Sequence, residues 1–206
     1  MTKNDTYVAI LGDAVASRAL APRARRALQE RLKHTLTTVN RRWRSHLAAR
    51  FAIALGDQFQ GLLRTPAATW EVVHFLRAEL TGAEWVIACG KGSISTAPAP
   101  TAPEMDGTCF HRAREALDAA RAHGQSLACA GFGDAIAALA RYHSALYASW
   151  TPRQRELARL LRVMEPAAAA ERLGVDRSAV SHLARRMRWR LVVPADQAFR
   201  ALMEKP

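Results

Sequence analysis

Apolar residues first gather in Tyr7-Val8-Ala9-Ile10-Leu11, a run of strand length that closes on Gly12-Asp13, with Ser17 and Arg18 just beyond. From Pro22 the spacing changes. Leu28, Leu32, Leu36, Val39, Trp43 and Leu47 recur three and four residues apart, which predicts one apolar stripe on a long helix. Phe51 to Leu55 and Phe59 to Leu63 read as two short strands meeting at Gly56-Asp57, a tight hairpin turn with a carboxylate at its tip. Pro66 opens a second helix, with Trp70, Val73, Phe75, Leu76 and Leu80 inward and Gly82 closing it. Trp85 to Cys89 is another strand-like run, and Gly90-Lys91-Gly92-Ser93 reads as the turn that ends it; the spacing is not that of a P-loop. Pro, Ala and Thr between Ala97 and Pro103 predict an exposed loop. A helix from Thr108 to His123, a strand within Gln125 to Phe132 and a helix bearing Ile136, Leu139, Leu146 and Tyr147 carry the chain to Trp150.

Strand, helix, hairpin, helix, strand is the order of a ferredoxin-like βαββαβ sandwich, an α+β fold with helices on one face of a mainly antiparallel sheet. Strand one and the hairpin are expected at the sheet's centre, which sets Asp13 and Asp57 side by side and open to solvent. Residues 1–135 are assigned to this unit, 136–150 to a connecting helix, and 151–206 to a small all-α domain.

That last domain has its own punctuation. Thr151 is a candidate N-cap with Pro152 at the first helical position, and an Arg-rich helix runs to Met164. Pro166 starts a second helix ending at Gly174, and Asp176 can cap a third, from Arg177 to about Trp189. Helix, short Gly-containing turn, helix is the helix-turn-helix pattern. On the third helix Val180, Leu183 and Met187 form an inward stripe, while Ser178, Ser181, His182 and Arg185 form the opposite one. These are side chains that hydrogen-bond base edges, and Arg153, Arg177 and Arg186 are placed to meet phosphates. A bundle that binds another protein would show the same apolar stripe, but residues 151–190 also hold ten Lys/Arg against four Asp/Glu.

Charge extends the picture to the whole chain. Its 206 residues carry a formal net charge of +12, with an isoelectric point near 10.9, which makes a polyanion the expected partner: nucleic acid, or a nucleotide or other phosphorylated small molecule. Three cysteines without a C-x-x-C pair and seven histidines without ligand spacing argue against a disulfide framework or a zinc site. Neither a secretory signal nor an apolar run of membrane-spanning length is visible, so a cytoplasmic location is expected, with no membrane partner. A homodimer is compatible with these features.

Two Gly-Asp pairs, each after an apolar strand, are the candidate chemistry, because adjacent carboxylates on rigid strands can hold Mg²⁺ or Mn²⁺ against a phosphate. The plainer alternative is that each Asp does no more than serve its turn. Val8-Ala9-Ile10-Leu11-Gly12-Asp13-Ala14-Val15-Ala16-Ser17-Arg18, Leu55-Gly56-Asp57-Gln58-Phe59-Gln60-Gly61-Leu62, and Asp106-Gly107 with Ala113-Arg114-Glu115-Ala116 together resemble the bacterial SatD family, over nearly the whole chain. More distantly, the layout resembles the palm domain of class III nucleotide cyclases and GGDEF proteins. That resemblance implies Asp13 and Asp57 as metal ligands, with Gly12, Ala14, Val15, Ser17, Arg18, Gly56, Gln58 and Arg114 around a nucleotide's phosphates. It also exposes departures: Gln58 stands where GGDEF enzymes carry Glu, Ile53 where cyclases carry a base-reading Lys, and Phe110 where the last motif carries Asn. A neutral amide is no general base. No catalytic residue is assigned, and the sequence favours a DNA-binding regulator with a nucleotide-sensing domain over its alternative, a metal-dependent nucleotidyl or phosphoryl transferase.

Overall fold

The computed structural model describes residues 6–205, so the N-terminal stretch read for a secretory signal lies largely outside the described residues. In chain order it holds β1 (Tyr7–Ala14), α1 (Pro22–Arg42), β2 (Leu47–Leu55), β3 (Gln58–Leu63), α2 (Thr69–Glu79), β4 (Trp85–Gly92), α3 (Thr108–Ala122), β5 (Leu127–Ala130) and α4 (Asp134–Ser149). Four more helices follow: α5 (Pro152–Leu161), α6 (Pro166–Leu173), α7 (Arg177–Arg186) and α8 (Trp189–Met203). The protein is α+β, with one mixed five-stranded sheet in the order β2-β3-β1-β4-β5. Every neighbouring pair is antiparallel except β4 and β5, which run parallel.

β1 occupies the centre of the sheet, and the hairpin does not: β2 is an edge strand. Helices cover both faces, against the expectation of one. Val8 and Ile10 point into a core with Leu32 and Leu36 of α1, Leu76 of α2 and Ile136 of α4. Ala9 and Leu11, the alternate positions, point into a second core with Cys109, Ala113 and Leu117 of α3. This two-sided burial explains why β1 is an unbroken apolar run instead of an alternating one.

The expected turn at Gly90-Lys91-Gly92 is strand, continuing β4 to Gly92. Its glycines serve close approach. A Cβ at Gly90 would stand 2.1 Å from the carbonyl oxygen of Cys109, because the first turn of α3 lies directly on β4.

The capping signals at the next boundary are realised: Thr151 and Gln154 form a reciprocal capping box at the start of α5. Gly174 ends α6 in the left-handed conformation (φ 62°). Asp176, in contrast, makes no side-chain cap on α7. α5, α6 and α7 pack around Leu157, Ala169, Val180 and Met187, together with Tyr147 and Trp150 from the end of α4. α7 stops at Arg186 instead of Trp189, since Arg188 turns left-handed (φ 54°) and starts α8.

α8 has no counterpart in the sequence reading. It returns to the sheet body, where Phe199 stacks edge-on against Trp70 of α2 at 5.4 Å between ring centroids. Where α2, α4, α5 and α8 meet, His74, Arg77 and His143 are buried, and Arg162 donates to Asp196 at 2.7 Å. Burial lowers both histidines well below the usual range, helped by the Arg162 and Arg77 guanidiniums.

Candidate functional site

β1 and β3 deliver their ends to the same edge of the sheet. Their ladder pairs Gly12 with Phe59, so Asp13, one residue on, emerges beside Gln58, whose side chain favours the ionised form of its carboxylate. Asp57 sits immediately before, in the turn that Gly56 makes possible by adopting φ 60°. The two carboxylates are close enough for the charge of Asp57 to raise the pKa of Asp13.

Asp13 is not open to solvent as expected; it is 4% exposed and ion-paired with Arg121 from the last turn of α3. Its pKa is raised, first by burial and then by Asp57, while Arg121, Gln58 and Arg18 pull it back. Asp57 is half-buried, and its Oδ2 is enclosed with no hydrogen-bond partner.

A cavity of about 480 Å³ joins these groups. Asp13, Asp57 and Gln58 form one side, with Ser17, Arg18 and Arg121 among the rest of the lining; Ala14 and Gly56 also reach it. The sequence-derived set is therefore largely brought together, with three exceptions. Gly12 is explained by packing, since a Cβ there would come within 2.3 Å of the Phe59 ring. Val15 is exposed, and its N–H is committed to the Glu84 carbonyl at 2.8 Å, so it does not offer a free donor to a phosphate. Arg114 is exposed on α3 and does not line the cavity.

Arg121, seven residues further along the same helix, takes the place expected of Arg114. Seven residues is two helical turns, so both lie on one side of α3, about 10 Å apart along its axis. The heptad offset was the signal available in the sequence. Ala16, between β1 and α1, is left-handed (φ 54°) without being glycine, and it is among the residues that line the cavity.

The donor set fits a divalent cation only together with a phosphate. Mg²⁺ is commonly held by one or two carboxylates plus substrate oxygens and waters, and the unpartnered Oδ2 of Asp57 suits such a hard cation. Asp13 would have to share its carboxylate with Arg121. Among the described residues no group of three or more His, Cys, Asp or Glu could hold a metal ion unaided. Arg18, Arg25 and Arg121 supply the positive lining an anion needs, and Gln58 supplies no base.

The second set, on the last helices, is placed as a surface. Arg153, Arg177, Ser178, Ser181, His182, Arg185 and Arg186 are all exposed, while Val180 and Met187 are buried and Leu183 is partly so. Among the described residues no helix is long and apolar enough to cross a membrane.

Fold and site thus define an α+β protein with a paired-carboxylate, arginine-lined cavity at one end of its sheet. The profile of the SatD family matches residues 7–129, well over half of the chain, and the protein belongs to that family. The match spans β1 to β5; α4 to α8 lie beyond it. No curated protein matches the chain.

Proposed function

We propose that the protein is a DNA-binding regulator whose sheet domain senses a nucleotide or related phosphorylated ligand. The observation that carries this reading is the division of α7: an apolar side packed on α5 and α6, and an opposite side of Ser178, Ser181, His182 and Arg185 left to solvent. α6, the Gly174 turn and α7 are then a helix-turn-helix, with α7 entering the major groove. The sensing half rests on the β4-β1-β3-β2 antiparallel order, which is the ferredoxin-like order of a cyclase-like palm, and on the Asp13 and Asp57 cavity. Such a protein would act in the cytoplasm, and a metal would enter the cavity with its phosphate ligand. The transferase alternative has less to support it, because Gln58 lacks the acid-base capacity of a Glu at that position.

DNA binding separates the roles of the arginines. Arg185→Ala should narrow the gap between preferred and random sequences, by about 1 to 3 kcal/mol for a lost bidentate guanine contact. Arg177→Ala should weaken all sequences alike and make the salt slope shallower by about one unit. Selection of a preferred site from random duplexes, followed by titration at several salt concentrations, reads both. Absence of any duplex binding at low salt would overturn the reading.

A further inference from the structure

A second cavity, of about 400 Å³, opens at the same end of the sheet and shares Ala16 and Arg121 with the first. Its walls come from both bodies of the molecule: Trp85 opens β4, Ser126 precedes β5, Tyr147 lies in the last turn of α4, and Arg155 belongs to α5. Two of these residues carry donors that the protein does not satisfy. Trp85 is 5% exposed, and its indole Nε1 has no hydrogen-bond partner. The Nε of Arg155 is likewise enclosed without one; the nearest carboxylate oxygen, on Glu84, stands 4.0 Å away, too far for a hydrogen bond. A buried donor left unpaired costs about 1 to 3 kcal/mol, so two of them on residues that line one cavity favour an acceptor there.

The remaining lining says what kind of acceptor. Arg121 and Arg155 both reach this cavity, each with one carboxylate neighbour, Asp13 and Glu84, and a guanidinium presents a planar fork whose remaining N–H groups match carboxylate and phosphate oxygens. Trp85, Val86 and Ala148 add apolar wall, so the cavity suits a flat group beside the charge.

We propose that this cavity binds a small organic oxyanion carrying a flat apolar group, with the Trp85 indole N–H and the Arg155 guanidinium as its donors and Arg121, held in its pair with Asp13, adding positive charge to the wall. The site does not use Asp57, meets Asp13 only through Arg121, and does not rest on the regulator reading. Because Arg155 lies on α5 and the other donor on the sheet side, the bound anion clamps α5 to the end of the sheet.

Calorimetric titration of the full chain with phenyl phosphate, benzoate and inorganic phosphate tests this. At least one aromatic anion is expected to bind about tenfold more tightly than inorganic phosphate, and the preferred one tells phosphate from carboxylate. Arg155→Met and Trp85→Phe should each weaken that binding about tenfold, the worth of one charge-assisted hydrogen bond. Asp57→Asn should leave it unchanged. Ala148→Trp, at an exposed lining position, should block binding without touching any donor, and melting curves identify variants that fail to fold. Equal binding of all three probes, no binding at millimolar concentration, or affinity indifferent to Arg155→Met and Ala148→Trp would overturn the proposal.

Discussion

Asp13 shows a carboxylate kept against its folding preference. Its folded pKa is raised, so as pH climbs the unfolded chain releases this proton first and stability falls through that interval. At neutral pH the ionised group is a net liability despite its pair with Arg121. Asp13→Asn is therefore expected to raise the melting temperature at pH 7 and to change it little well below about pH 4, where Asp13 is protonated in the folded and the unfolded chain alike. Thermal melts of the two proteins at both pH values check this; a loss at pH 7 would mean that the Arg121 pair outweighs burial. The carboxylates themselves were legible in the sequence because strand ends and Gly-Asp turns are local features. Arg121 was legible only through its heptad offset from Arg114; its partner lies more than a hundred residues away, and an arginine late in a helix otherwise reads as a favourable end charge.

The elements were legible wherever one covered face imposes a period. α1 shows its stripe because its other side is solvent: Leu28, Leu32, Leu36 and Val39 are buried as the spacing predicts, whereas Trp43 lies past the end of the helix and Leu47, the last of the expected stripe, opens β2. β1 and β4 hide their environment because both faces are packed, and the glycines of β4 look like a turn although they admit α3. Gly90→Ala is expected to cost about 3 kcal/mol, since its methyl would meet helix backbone that has no rotamer to yield. Urea unfolding measures it, and a loss under 1 kcal/mol would mean that α3 can lift from the strand. The junction of α2, α4, α5 and α8 yields a pH dependence of the opposite sign to that of Asp13. His74 and His143 stay neutral when folded but take up protons near pH 6.5 when unfolded, so stability is full above that value and falls below it. The slope is up to about 1.4 kcal/mol per pH unit for each histidine. Urea midpoints at pH 7.5 and 5.5 should differ accordingly, and His143→Gln should remove about half of the fall.

Across the whole molecule, α8 makes one structure of what the sequence divides in two. Its first turn joins the α5 to α7 cluster through Val192, and its last turns fill the sheet body through Phe199 and Met203. No element is expected beyond Trp189 from the sequence, because a helix with an internal Pro194 carries no clean stop or start signal. Phe199→Ala should cost about 3 to 5 kcal/mol and should loosen α2 with it, which amide exchange at Trp70 and His74 can follow. An effect confined to α8 would make it a mere appendage. The same feature bears on synthesis. The ribosome delivers α8 after every other described element, so Trp70 and its neighbours stay bare while the rest of the body has emerged. The nascent chain thus passes through an interval with an open apolar face, and it is during translation, more than in the finished protein, that this molecule is most exposed to aggregation and most in need of a chaperone.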